Sequence, residues 1–258
     1  MAKIIETNNL SFSYGKEVIL KELNIIFGGN KFISIIGPNG SGKTTLLKLL
    51  LRLLKSDNGE IKLDGSNLKK YTNKELAKEI SYVPQKSEID FEFTVYEIVS
   101  MGRAPYIKNL EKEAKKDKEI IENAMKMTNT WKFREKYINC LSGGELQMVM
   151  IARAIAQDTK IIILDEPISH LDIHHQVEIM NTLQKINKEK EALIITVLHD
   201  INLASQYSDE ILLLNNGEIV AKGEPKKVIT KENIKKVYNM EFLFLEHPRN
   251  KLPYILPK

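Results

Sequence analysis

A chain of 258 residues, 43% hydrophobic and 28% charged, is long enough to bury one large α/β core or a core carrying an inserted lobe. Its 38 basic and 34 acidic residues leave a dispersed formal charge of +4, which excludes the clustered basic footprint of a nucleic-acid binder, and no apolar run reaches the roughly 18 residues that span a bilayer. The single cysteine, Cys140, excludes an intramolecular disulfide and is expected to pack in the interior; the N-terminus MAKIIETNN has no apolar signal core, so a reducing cytosol is the expected compartment.

The chain opens with two apolar-rich pieces, Ile4 to Tyr14 and Glu17 to Phe27, around Gly15-Lys16, which predicts a β-hairpin with Tyr14 at its tip. An aromatic there either lies against an adenine face or packs on its strand neighbours. The apolar run Phe32 to Ile36 then leads into Gly37-Pro38-Asn39-Gly40-Ser41-Gly42-Lys43-Thr44, which fits the phosphate-loop pattern G-x-x-x-x-G-K-[ST], and a Leu- and Lys-rich helix is predicted over Thr44 to Leu54. Glycines at 37, 40 and 42 let backbone N–H groups converge on one anion at a helix N-terminus. Lys43 would place a charge on the β- and γ-phosphates of a nucleotide, the Thr44 hydroxyl would ligate Mg2+, and Thr45 would support the phosphates.

Asp57-Asn58-Gly59 breaks the helix. A strand over Glu60 to Leu63, an Asp64-Gly65 turn and a polar helix from about Asn73 to Glu79 lead to a second strand, Ile80 to Val83, closed by Pro84-Gln85. In a parallel α/β sheet the carboxyl end of a strand is where ligands bind, and there the Gln85 amide can reach Mg2+ and the attacking water. From Lys86 to Asp158 the pattern turns helical with no convincing strand, as expected of an inserted lobe; it includes a Thr94-Val95-Tyr96-Glu97 capping box and a solvated charged face over Glu111 to Glu119. Leu141-Ser142-Gly143-Gly144-Glu145 precedes a helix predicted over Glu145 to Gln157. Ser142, Gly143 and Gly144 form a second anion cradle at its positive end.

The aliphatic strand Lys160 to Leu164 closes on Asp165-Glu166-Pro167. Asp165 is the expected Mg2+ ligand and Glu166 the base that orients or deprotonates the attacking water. Leu171-Asp172 opens a helix to about Lys188, and the buried strand Leu193 to Leu198 ends in His199-Asp200, where His199 can hydrogen-bond the γ-phosphate. His170, His174 and His175 have no cysteines or suitably spaced partners and read as surface residues. Glu210 to Leu214, Asn215-Asn216-Gly217 and Glu218 to Ala221 form a closing hairpin, 226 to 240 a small helix, and 241 to 258 an irregular tail.

GPNGSGKTT, Gln85, LSGGE, IIILDEP, SHLD at 169 to 172 and His199, in that order, resemble the ATPase subunit of an ABC transporter over nearly the whole chain. The resemblance implies a P-loop NTPase (RecA-like) core over 1–85 and 159–225, with an N-terminal antiparallel β subdomain and an inserted α-helical subdomain over 86–158. The ATP-binding domain would run to 240, with a tail over 241–258. It implies ATP and Mg2+ as cofactors and a head-to-tail homodimer, in which Ser142, Gly143 and Gly144 clamp the γ-phosphate bound by the partner copy and Asp172 lies at the interface. It further implies a peripheral place at the cytoplasmic face of the cell membrane on two permease subunits, with a substrate-binding protein acting indirectly. Residues after Gln85, with Phe91, Phe93 and Tyr106 among them, are expected to face the permease.

Met101-Gly102-Arg103-Ala104-Pro105-Tyr106, SHLDIHHQVEI and VLHDINLASQYSDEILLLNNGEI look like the importers of iron chelates, haem and cobalamin, although Leu146 and Met148 stand where arginines are frequent in the family. Two rivals remain. Soluble ABC proteins of translation, cluster assembly or DNA maintenance usually carry tandem halves or long coiled-coil insertions, and a nucleotide-binding module without hydrolysis is opposed by Glu166 and His199.

Overall fold

The computed structural model describes residues 3–85, 92–107 and 115–258. They divide into two compact units, one made of 3–70 with 193–258 and the other of 71–192. The residues expected to face a permease directly after Gln85, Phe91 included, lie outside the described residues, as does the charged stretch before Lys115.

In the first unit, β1 (Ile4–Tyr14) and β2 (Glu17–Gly28) form the expected antiparallel hairpin, and β4 (Asn58–Leu63) and β5 (Ser66–Asn67) extend it in the order β2-β1-β4-β5. A second sheet holds β3 (Phe32–Ile36) between β8 (Leu193–Val197) and β9 (Glu210–Asn215), parallel to both, with β10 (Glu218–Gly223) antiparallel on β9. Every residue of β3 and β8 is buried. That is why these strands read as unbroken apolar runs: a parallel strand covered on both faces has no solvent side to alternate with, and each buried Ile contributes about 1.5–3 kcal/mol.

Helix α1 (Lys43–Leu50) stops four residues short of the expected Leu54. Arg52 takes a left-handed conformation (φ 56°), its N–H donates to Leu49 O (3.0 Å) and the Leu53 N–H to Lys48 O (2.8 Å), so a Schellman closure ends the helix without the usual glycine. The helix expected over 226 to 240 is two, α8 (Pro225–Val228) and α9 (Lys231–Tyr238), because the Thr230 hydroxyl caps a new start by accepting from Asn233 N.

The tail is not irregular. It forms an antiparallel pair, β11 (Phe242–Glu246) and β12 (Pro253–Pro257), held to α7 (Ile201–Tyr207) because the Asn202 amide donates to Ile255 O (3.0 Å) and accepts from Ile255 N (2.8 Å) while the Ser205 hydroxyl donates to Pro253 O (2.7 Å). Prolines at both ends of β12 and apolar residues on both faces of β11 hid the strand signal.

In the second unit, α2 (Asn73–Glu79) leads to β6 (Ile80–Val83), which pairs in parallel with β7 (Ile161–Asp165) in the register Val83↔Leu164. Helices α3 (Val95–Ser100), α4 (Lys115–Met127) and α5 (Gly143–Ala156) follow the helical reading, and α6 (Ile173–Lys190) follows β7. The expected box at Thr94 is present: its hydroxyl accepts from Glu97 N while the Glu97 carboxylate accepts from the Thr94 N–H (2.7 Å). Cys140, expected to pack inside, is exposed. Asp117 departs from the solvated face expected of its stretch and pairs with Arg103 (2.8 Å). Arg103, 5% exposed, also donates to Ala156 O (2.9 Å) and stacks on the Tyr106 ring at 4.0 Å.

Removing that guanidinium strands a carboxylate and a carbonyl. Arg103→Ala should lower unfolding free energy by about 3 kcal/mol in urea titrations. Arg103→Lys should recover only part, because a single ammonium cannot both pair and stack.

Candidate active site

In the first unit the parallel register places the phosphate loop and His199 at adjacent strand ends: the Leu198 N–H donates to Ile35 O (3.1 Å), one residue before His199 and two before Gly37. Gly37 has φ 152°, and a Cβ added there would stand 2.0 Å from Leu214 O on β9 and 2.9 Å from Ser41 Oγ. Only glycine lets the loop leave β3 this close to its neighbour. The Lys43 ammonium, in a residue 5% exposed, donates to Gly37 O (2.9 Å) and Pro38 O (2.8 Å), so the loop's own carbonyls hold the charge beside the N-terminus of α1.

Asn39 and Gly40 are exposed, Thr44 is half-buried, and Gly42 and Thr45 are buried. Ser41 Oγ is buried with no hydrogen-bond partner. A buried hydroxyl left unsatisfied costs about 1–3 kcal/mol, and a phosphate oxygen would relieve it, so the cradle fits an anion. His199 is exposed at its strand end. Tyr14 is 49% exposed at the hairpin tip, its ring perpendicular to that of Phe12 with centroids 4.8 Å apart.

One residue here escaped the sequence reading. The Tyr238 hydroxyl in α9 is hydrogen-bonded by the Gly37 backbone, while burial pushes its pKa up to about 12. No motif marks it, since the link is made only when the chain's C-terminal part folds back on the loop.

The second unit gathers Gln85, Asp165 and Glu166 at the ends of β6 and β7, where the Gln85 amide donates to the Glu166 carboxylate at 2.6 Å. Asp165 is 2% exposed, and burial together with its charge pushes the Tyr82 phenol up to about 12. A carboxylate held in so dry a place fits a divalent cation, which would offset the cost of burying it. Glu166 adopts φ 49°, a left-handed conformation costing on the order of 1–3 kcal/mol, and a turn in which Ser169 N (3.2 Å) and Ser169 Oγ (3.0 Å) donate to Glu166 O holds it.

The second cradle differs from its expectation. The helix starts at Gly143, not Glu145, and Ser142 is its N-cap, its hydroxyl accepting from Glu145 N (3.3 Å) while the Glu145 carboxylate accepts from the Ser142 N–H (2.9 Å). That backbone N–H holds Glu145 below the usual carboxylate range. Gly143 and Gly144 therefore form the first helical turn, whose N–H groups have no acceptor within the helix.

Asp172 is the N-cap of α6, accepting from the His175 N–H (3.0 Å) and meeting His175 Nδ1 at 2.8 Å. His175 is half-buried rather than a plain surface residue, and a Cβ on Gly144 would lie 2.3 Å from its ring. The i, i+3 spacing from Asp172 was the available signal. His170 is exposed as expected.

The family described as ABC transporter matches residues 20–169. The chain is 37% identical over 257 residues, all of its own length and 94% of the relative's, to the petrobactin import ATP-binding protein FpuD of Bacillus anthracis. It is similar to a structure assigned to a metal-chelate type ABC transporter in an inward-facing conformation, with a TM-score of 0.87 at 28% identity, covering 100% of this chain and 98% of the other. A dimeric structure of a bacterial ABC transporter cassette superposes with a TM-score of 0.74 at 31% identity, covering 85% and 98%. Among the described residues no helix is long and apolar enough to cross a membrane.

Gly37→Ala drives a methyl into Leu214 O, so nucleotide affinity should fall at least about tenfold in a fluorescent-ATP titration, with a lower thermal midpoint. An alanine variant that bound like the native chain would show that the loop can step away from β9.

Proposed function

The chain belongs to the ABC transporter family, and from that premise we propose that it is the ATP-hydrolysing subunit of an iron-chelate importer, acting as a homodimer on a separate membrane permease. The cargo class rests on the petrobactin import ATP-binding protein from Bacillus anthracis and on the chain from the metal-chelate type transporter, both matched along nearly their full lengths. The dimer is supported by the similar dimeric cassette and by the presence of two anion cradles in one chain. Binding to two permease subunits at the cytoplasmic face, and supply of cargo by a substrate-binding protein, follow from the same family reading.

The observation that carries the catalytic assignment is the Gln85 amide on the Glu166 carboxylate. Held there, Glu166 accepts a proton from water as the water oxygen attacks the γ-phosphorus and the bond to the bridging oxygen of ADP breaks. Lys43 and the backbone N–H groups of residues 39–45 take up the charge on the transferred phosphoryl group, and His199 donates to its oxygens. Ser142, Gly143 and Gly144 serve the nucleotide of the other copy, with Asp172 at the seam, and Tyr14 stacks on adenine.

Mg2+, when bound, neutralises charge on the phosphates. Thr44 Oγ1, Asp165 and the Gln85 amide oxygen, whose nitrogen is engaged with Glu166, are its proposed ligands. Residues 86–158 are the proposed helical subdomain and 1–85 with 159–225 the core.

Glu166→Gln should lower steady-state phosphate release by about 10²–10⁴-fold and trap an ATP-bound dimer on size exclusion. Mixing a Lys43→Ala chain with a Ser142→Arg chain leaves one intact site per mixed pair, so turnover should return on mixing. Mixtures as inactive as either parent, despite demonstrated pairing, would remove the two-chain site.

A further inference from the structure

The first turn of α6 carries two imidazoles, His174 and His175, that the proposed hydrolysis leaves unused. The Asp172 carboxylate and the ring nitrogens of His174 and His175 each offer one ligand atom, and all of these lie within 4.8 Å of one another. The partner that the bare sequence lacked is thus the helix cap itself. The two imidazoles meet edge-on with centroids 5.5 Å apart. They open on a cleft of about 520 Å3 whose wall also holds Glu145, Glu178 and Lys132, so two further carboxylates and one ammonium border the cluster.

Imidazole with carboxylate is a donor set for first-row divalent transition metals and a poor one for Mg2+. Around an ion with ligand bonds of about 2.0–2.2 Å the donors must rearrange, the widest-set pair closing and Asp172 Oδ2 and His175 Nδ1, now 2.8 Å apart, opening. Rotation of exposed His174 and Asp172 side chains supplies that movement. Asp172 can ligate through Oδ2, which now meets His175 Nδ1, while Oδ1 keeps its hydrogen bond from the His175 N–H and the helix stays capped.

We propose that Asp172, His174 and His175, with Glu178 as an additional ligand, bind one divalent transition-metal ion, and that the bound ion inhibits ATP turnover. The binding half stands on the cluster alone. The inhibitory half rests on the proposed function: Asp172 cannot ligate the ion and serve the dimer seam together, and His175, whose ring lies against Gly144, ties the ion to the second cradle.

Calorimetry with Zn2+ and visible spectra with Co2+ on the full chain test the binding. One ion per chain is expected, weakened roughly tenfold or more in His174→Ala and His174→Asn, and unchanged in His170→Ala and Cys140→Ser. No stoichiometric binding, binding equal in the His174 variants, or binding lost with Cys140 would each overturn the site.

Phosphate release at fixed Mg2+ with increasing Zn2+ tests the coupling. The native chain should slow, and His174→Ala, with unchanged basal turnover, should resist. Tight Zn2+ binding without any slowing would overturn the inhibition. A chain that bound Zn2+ at the cluster but never hydrolysed ATP would instead count against the proposed function and leave the site standing.

Discussion

The constraint on which this protein depends is the close passage of the backbone at Gly37 between β3 and β9. The Leu214 carbonyl leaves no room for even a methyl group, and the loop that emerges is bent so that its own carbonyls at 37 and 38 take the Lys43 ammonium. A cation that is 5% exposed and already oriented costs little further to place on a phosphate. The buried Ser41 hydroxyl, with no protein partner, is the complement of that arrangement, a group that an anion's oxygen would satisfy.

The same economy of geometry recurs at each parallel strand end. Strands buried on both faces cannot carry polar chemistry along their length, so the first polar residues after them collect at the carboxyl ends. In one unit these are the phosphate loop and His199; in the other they are Gln85 with Asp165 and Glu166. Parallel pairing is what makes them neighbours, since it brings like ends of distant segments side by side. The left-handed Glu166 is the local cost of turning the chain at once after β7 while keeping its carboxylate on the Gln85 amide.

Helix caps do the corresponding work away from the strands. Ser142 and Asp172 each accept from the third N–H of their helix, that of Glu145 in α5 and of His175 in α6, and both are residues with which the family resemblance associates nucleotide and seam. His175 joins the two by accepting a place against Gly144 while bonded to Asp172. One half-buried imidazole thus touches the starts of both helices.

Local pattern alone determined the β-hairpin, the strands near 32–36, 80–83, 160–164 and 193–198, the Thr94 capping box, the phosphate loop and the acids Asp165 and Glu166 at the end of β7, because each is a matter of period or spacing within a few residues. Helix ends were less legible, as at α1, where Arg52 adopts the conformation usually left to glycine. Only the tertiary structure decided that Tyr238 reaches Gly37, that Gln85 bonds Glu166, that the tail pairs as β11 and β12 on α7, that Arg103 is buried and Cys140 exposed, and that His175 lies on Gly144. Each of these joins segments far apart in the chain or depends on which side of an element is covered. Period and spacing carry no information about that, because burial and long-range hydrogen bonds are set by what packs against a segment and not by the segment itself.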